Sequence, residues 1–163
     1  MAVYKLFPYK DSTVYSFYPK MNTGIDSIIE VFNLNLAIDS YPQVSRFLTE
    51  FVQSEIVDVV DNKIAGSEWD VNLRAFIATA QGVVESTDLS VHPVAQYWWN
   101  GTGTYLDSPQ VKDGVCWDSP QFSGSVAWSS SGTDSTNHYV TSSRDATYAV
   151  AGGGAWYLSG SDG

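Results

Sequence analysis

The stretch WWNGTGTYLDSPQVKDGVCW, residues 98–117, contains three tryptophans, three glycines and one tyrosine. Its Lys112-Asp113-Gly114 tripeptide is typical of a tight turn. Trp98 and Trp99 are adjacent, so in a strand their side chains point to opposite faces and at most one of them points to the core. We therefore interpret the stretch as β-sheet scaffold with its turns, and not as a catalytic loop.

The aromatic residues of this stretch are the predicted anchors of packing or of an interface. Aromatic side chains dominate the binding energy of protein contacts. The anchors are Trp98, Trp99, Tyr105 and Trp117. The alternative is that an exposed ring stacks on a sugar, which leaves carbohydrate binding open.

Composition excludes several classes of partner. The 163 residues suit one domain with a sizeable core, and 44% of them are hydrophobic. The 18 acidic residues exceed the 8 basic ones, for a net charge of −10. Such a chain repels phosphate backbones and anionic lipid surfaces, so we expect neither nucleic acid nor membrane as a partner. No apolar run approaches the roughly 20 residues that span a bilayer. The classes of partner that remain possible are proteins, cations and neutral sugars.

Alternation of apolar and polar residues predicts several short strands. Three of them are predicted at 13–18, 28–33 and 44–52. Residues 71–78 are compatible with a helix as well as a strand, and a strand is predicted there because 89–98 can pair with it antiparallel across the turn-rich residues 81–88.

One short helix is predicted from Ser54 to Ile64. Ser54 is its predicted N-cap, and Gly66 ends it. The chain is therefore predicted to be mainly β: an antiparallel β-sandwich of jelly-roll type with one short helix. The sandwich domain is predicted at 1–128, and the Ser/Thr/Gly-rich loop and C-terminal segment at 129–163 could continue the sandwich.

No motif of a known catalytic site is present, so no enzymatic activity is predicted. His92 lies in a predicted strand, and His138 lies in a polar loop. The single cysteine, Cys116, is predicted to be a small buried hydrophobe. No cofactor is predicted. The one alternative is calcium held by Asp107, Asp113 and Asp118, although turn formation explains these residues equally well.

The pattern W-N-GTG-Y-D-P…GVCW, preceded by VNLRAFIA…LSVHPVAQYW, resembles the DNRLRE (disaggregatase-related) family of jelly-roll domains. The resemblance covers about residues 12–128. The N-terminal MAVYKLFPYKDSTVYSFYPKMNTGID is similar to virion structural proteins of T-even-like tailed phages that infect marine cyanobacteria. These resemblances imply a non-enzymatic particle component in the tail or baseplate, or else at the neck or capsid surface. Its implied partners are other virion proteins and further copies of itself, and its implied location is the virion, assembled in the host cytoplasm.

The resembled family continues with further strands where this sequence ends in a Gly/Ser stretch at Gly163. Either the sequence is part of a longer polypeptide or the sandwich lacks strands. An unpaired edge would invite a strand from a neighbouring subunit. We therefore expect assembly contacts at such an edge.

Overall fold

The computed structural model describes residues 3–34, 43–66, 68–80, 89, 91–121, 126–128, 139–140 and 153–157. Their secondary structure is mainly β with one short helix, which confirms the coarser part of the predicted fold. The elements are β1 (Pro8–Tyr15), β2 (Asn33–Leu34), β3 (Gln43–Phe51), α1 (Gln53–Asp58), a π-helical turn (Val59–Lys63), β4 (Tyr139–Val140) and β5 (Trp156–Tyr157).

Two sheets contain these strands. One has three strands in the order β1-β3-β2, and β4 and β5 form the other. β2 is antiparallel to β3, with Asn33 opposite Val44. β5 is antiparallel to β4, with Trp156 opposite Val140, and Trp156 also forms an isolated bridge to Val94.

The predicted strand at 44–52 is confirmed almost residue for residue by β3. The prediction at 13–18 is shifted, because β1 begins at Pro8 and ends at Tyr15. A turn follows at once: the N–H of Tyr18 donates to the carbonyl of Tyr15 at 3.2 Å, and residues 16–20 leave the sheet.

The predicted strand at 28–33 is largely wrong, since only Asn33–Leu34 are in a strand. Side-chain hydroxyls take the place of the carbonyls of a sheet ladder here. The N–H of Glu30 donates to Thr13 Oγ1 at 3.0 Å, and that of Phe32 donates to Ser45 Oγ at 2.9 Å. The segment therefore lies beside β1 and β3 without regular pairing.

The predicted antiparallel pair at 71–78 and 89–98 is also wrong for the described residues. Residues 71–77 have no regular secondary structure, and residue 94 has only its isolated bridge. Alternation makes a segment compatible with a strand, but a strand needs a neighbour for its backbone hydrogen bonds. The predicted connecting turn at 81–88 lies outside the described residues.

The predicted helix at 54–64 is confirmed by α1 and the π-helical turn, which together cover Gln53 to Lys63. The predicted cap is wrong: Val52 is at the N-cap position and makes no side-chain capping bond. Gly66, with φ of +74°, follows the helix end, as the sequence predicted.

The chain divides into two compact units. Unit 1 comprises Met1–Lys10 and Thr49–Ser90, and unit 2 comprises Asp11–Leu48 and Val91–Gly163. The predicted boundary at residue 128 stays a prediction, because most of 129–163, including His138, lies outside the described residues.

The hydrophobic core belongs to unit 2. Its buried members come from both ends of the unit's sequence and include two of the predicted aromatic anchors. They are Val14, Leu48, Trp98, Val115, Trp117, Trp128 and Ala155. Among the described residues of unit 1, only Lys10 is buried, and its ammonium group lies 2.8 Å from the carboxylate of Glu50.

Candidate functional site

The buried side chain of Asn22 forms hydrogen bonds with the loop at 98–117. It is 1% exposed, and its side-chain amide makes four hydrogen bonds. Nδ2 donates to the carbonyls of Asn100 at 2.7 Å and Val115 at 2.8 Å, while Oδ1 accepts from the N–H of Gly103 at 2.8 Å and of Gly24 at 3.3 Å. One buried amide thus fixes three points of the loop.

Glycines surround this amide because the backbone segments approach closely. A Cβ on Gly114 would lie 2.5 Å from the Cα of Gly101, and a Cβ on Gly101 would lie 2.5 Å from the Cα of Gly114. Gly101 also has φ of +79°, a conformation that side chains other than glycine rarely adopt. The glycines predicted to be turn residues are therefore also required for packing around Asn22.

Asn100 completes this support. Its Nδ2 donates to the carbonyl of Gly24 at 2.6 Å, so the amide is engaged inside the protein. Its Oδ1 is buried and has no hydrogen-bond partner among the described residues.

The supported loop presents Tyr105 and Leu106 at the surface. Tyr105 is 44% exposed, and Leu106, at φ of +54°, is also exposed. The backbone N–H of Tyr105 donates to both oxygens of the Asp26 carboxylate, at 3.1 and 3.2 Å. The ring of Tyr105 lies edge-on to the buried Tyr15, with 5.4 Å between centroids, and 6.1 Å from the ring of Tyr18.

Three carboxylates lie around these rings. We call the surface formed by these side chains the acidic aromatic patch; it consists of Tyr18, Asp26, Glu30, Tyr105, Leu106 and Asp107. The carboxylate of Glu30 accepts the hydroxyl of Tyr15 at 2.7 Å, and that of Asp107 accepts the N–H of Val111 at 3.0 Å. Among the described residues, none of the three carboxylates forms a salt bridge.

Burial and neighbouring charges affect the protonation of Asp26. Burial raises the pKa of Asp26 above its ordinary value, the hydrogen bond from Tyr105 lowers it in part, and the charges of Glu30 and Asp107 raise it further. Burial, followed by the hydrogen bond to Glu30, also raises the pKa of Tyr15. The three carboxylates, which form no salt bridge among the described residues, give the patch a local excess of negative charge.

A shallow cavity of about 310 Å³ adjoins the patch. It is small for a ligand pocket, and most of its wall is apolar. Its lining residues are Phe17, Tyr18, Pro19, Lys20, Met21, Leu106, Asp107 and Gln110. Lys20 is the one basic residue of this lining.

The four predicted anchors separate into two pairs. Trp98 is 2% exposed and Trp117 is also buried, so both pack in the core. Trp99 is 41% exposed and lies against Tyr97, with ring centroids 4.8 Å apart and planes at 88°. Of the two adjacent tryptophans only Trp98 points to the core, in agreement with the prediction that at most one does, and an interface role for Trp99 and Tyr105 stays a prediction.

Arg46 is a structural residue that the sequence reasoning missed. Its guanidinium carbon lies 4.5 Å from the ring centre of Trp117 and 4.6 Å from that of Trp156. Burial lowers the pKa of Arg46 to about 10. A cation next to an indole face is stabilised by the negative charge on that face. Arg46 of β3 therefore contacts both Trp117 and Trp156 of β5. The alternation within β3 offered no signal for this pairing.

The three predicted cation ligands are not brought together. Asp113 accepts the N–H of Thr102 at 3.0 Å and its hydroxyl at 2.7 Å, and Asp118 is exposed. No group of three or more His, Cys, Asp or Glu side chains is positioned to hold a metal ion within the described part of the chain. Cys116 is fully buried, as predicted, with its Sγ 3.3 Å from Ser119 Oγ.

No protein-family model matches the sequence, and comparisons with curated proteins and with solved structures also find no match. None of the helices in the described ranges is long and apolar enough to cross a membrane. The resemblance to jelly-roll domains and phage virion proteins therefore remains an expectation from the sequence.

Unit 1 contains a second exposed feature, residues 68–80, in which every residue is exposed and none is in a helix or strand. Val71, Phe76 and Ile77 are each 81% exposed. The guanidinium carbon of Arg74 lies 5.0 Å from the ring centre of Phe76. We call residues 68–80 the exposed segment.

Proposed function

We propose that this chain is a non-enzymatic structural component of a tailed bacteriophage particle and that it acts through protein–protein contacts. One observation carries the proposal: the exposed segment leaves Val71, Phe76 and Ile77 almost entirely in water. Soluble monomers rarely expose grouped apolar side chains in this way, and such groups mark interaction sites. The inference that these contacts occur in a phage particle is based on the resemblance to virion structural proteins.

The proposal includes a finer fold, a β-sandwich of jelly-roll type. Its support is the resemblance over about residues 12–128, together with the three-stranded sheet and the pairing of β4 with β5. The acidic surface limits unspecific association, while apolar and aromatic burial supplies the binding energy.

Incorporation into particles tests the proposal. A phage that lacks its own copy of the gene is grown in a host that supplies either the wild-type chain or the variant Phe76→Ser, and the purified particles are quantified by mass spectrometry. The wild-type chain should appear at a constant copy number, and Phe76→Ser should reduce it at least severalfold. Lys63→Ala, at an exposed lysine outside the segment, is the control that should leave it unchanged.

Absence of the wild-type chain from purified particles would overturn the proposal that the chain is a component of the phage particle. Equal incorporation of wild type and Phe76→Ser would overturn the role of the exposed segment. Either result is informative because Phe76 is 81% exposed, so its substitution removes little buried apolar surface.

Carbohydrate binding for host-surface recognition is the second candidate function. The exposed pair Tyr97 and Trp99 favours it, because either ring offers a face on which a sugar can stack. Titration with host polysaccharides should change the tryptophan fluorescence of the wild-type chain but much less that of Trp99→Phe. A parallel titration with EDTA tests whether calcium contributes. Identical curves for the two proteins, or no response of the wild type, would exclude this surface as the sugar site.

A further inference from the structure

The exposed segment and the acidic aromatic patch have complementary chemistry. The exposed segment begins with the acidic residues Glu68 and Asp70, and between residues 71 and 80 its only charged residue is Arg74, in a chain whose net charge is −10. Arg74 and Phe76 are two residues apart, so in an extended chain they lie on the same side, and their cation–π contact confirms this. One side of the segment thus offers a guanidinium group next to an aromatic ring.

The patch offers the matching groups. Its carboxylates accept hydrogen bonds but, among the described residues, lack a cationic partner. The rings of Tyr18 and Tyr105 are partly exposed beside them. A guanidinium group binds carboxylates through paired hydrogen bonds and also stacks on aromatic rings, so Arg is better suited than Lys to this surface.

We propose that the exposed segment of one copy docks on the acidic aromatic patch of a second copy, with Arg74 among the carboxylates and Phe76 against the tyrosine rings. This inference rests on the proposed function and names the partner as a second copy of the same chain. Arg74 places a positive charge against the acidic patch, while Glu68 and Asp70 lie at least four residues before it in the segment. Because the segment and the patch are different surfaces, the contact is head-to-tail, and copies form a ring or an open chain unless two of them exchange segments.

Sedimentation velocity over a range of protein concentrations tests the proposal on the full chain. The wild-type chain should form oligomers as the concentration rises. Arg74→Glu and Phe76→Ala should each weaken association by about tenfold or more, as hot-spot substitutions do. Lys63→Glu makes the same change of charge in the same unit and should leave association close to that of the wild type. A wild-type chain that stays monomeric at every concentration would overturn the proposal, and so would equal losses in Arg74→Glu and Lys63→Glu.

Mixing two defective chains tests which surfaces meet. Arg74→Glu retains an intact patch, and Tyr105→Ala retains an intact segment. Each should be monomeric alone, and their mixture should form heterodimers that do not grow further. Asp26→Asn, which still accepts the N–H of Tyr105, is a second patch variant if Tyr105→Ala folds poorly by circular dichroism. No association in either mixture would overturn the proposed contact.

The particle experiment separates this inference from the proposed function. If the wild-type chain is monomeric in solution while Phe76→Ser still fails to enter particles, the segment binds another virion protein and only the second-copy partner is wrong. If neither association nor incorporation depends on the segment, both this inference and the role of the segment in the proposed function fail, while presence of the wild-type chain in particles still supports the particle component.

Discussion

Units 1 and 2 contain similar apolar and aromatic residues but bury them very differently. Unit 2 encloses Trp98 and Trp117 in a core, and it fixes their loop through the buried amide of Asn22. Unit 1 leaves Phe76 and its neighbours in water and, among its described residues, buries only Lys10. Aromatic content alone therefore does not produce a core. Close backbone approach and satisfied hydrogen bonds accompany the core of unit 2, whereas residues 68–80 of unit 1 contain neither helix nor strand.

Asn22→Asp should have the largest effect on stability, because it disrupts the hydrogen bonds that hold the loop at 98–117 in unit 2. One carboxylate oxygen would face the carbonyls of Asn100 and Val115, to which Nδ2 now donates, so the variant would bury a charge against two acceptors. We expect a loss of about 5 kcal/mol in the free energy of unfolding, measured by urea denaturation. Asn62→Asp, at an exposed amide of unit 1, is the control that should change it little. A loss below about 1 kcal/mol would contradict the role of Asn22.

Trp98→Ala and Trp99→Ala compare adjacent residues that face opposite sides. Trp98→Ala should cost about 4 kcal/mol, because it empties a site in the core. Trp99→Ala should cost about 1 kcal/mol or less, because Trp99 is exposed. Denaturant unfolding of both variants measures the difference, and equal losses would contradict the assignment of their faces.

Gly114→Ala should cost about 3 kcal/mol, because its new methyl group would meet the backbone of Gly101. Gly66→Ala is the matched control in unit 1. Gly66 has φ of +74° but no atom within 4 Å of an added Cβ, so its cost should be about 1 kcal/mol from backbone conformation alone. Thermal unfolding separates the two costs. A larger loss at Gly66 would show that crowding around Asn22 is not the limiting factor.

Asp26→Asn should change the pH dependence of stability at the patch. The pKa of Asp26 is raised in the folded chain, so its contribution to stability is greatest below its unfolded pKa and is lost as pH rises through the folded pKa. The variant should therefore be more stable than the wild type at neutral pH, by less than about 1 kcal/mol because solvent screens the carboxylate. The difference should shrink as pH falls. A constant difference across the acidic range would contradict the raised pKa of Asp26.

Val71→Ser should have the smallest effect on the folded monomer. Val71 is 81% exposed, so the free energy of unfolding should change by less than about 0.5 kcal/mol. Urea denaturation at low protein concentration measures this value without a contribution from association. A loss as large as that of Trp98→Ala would show that the exposed segment packs within the isolated chain.

The sequence by itself determined the features that depend on neighbours along the chain. Alternation predicted β3, helical spacing predicted α1 with its π-helical turn, and adjacency predicted that at most one of Trp98 and Trp99 points to the core. The physical reason is that backbone periodicity fixes the direction of each side chain relative to its neighbours.

Only the tertiary structure decided which distant groups meet. The side chain of Asn22 donates hydrogen bonds to Asn100 and Val115, which are 78 and 93 positions further along the sequence. Arg46 contacts the indole rings of Trp117 and Trp156, which belong to separate segments. The hydroxyls of Thr13 and Ser45 replace the ladder bonds that the pattern at 28–33 predicted. Residues 71–77 alternate well enough for a strand, yet they lack a partner among the described residues. The sequence pattern indicates which side chains can face the core, and contacts between distant segments decide whether those side chains are buried.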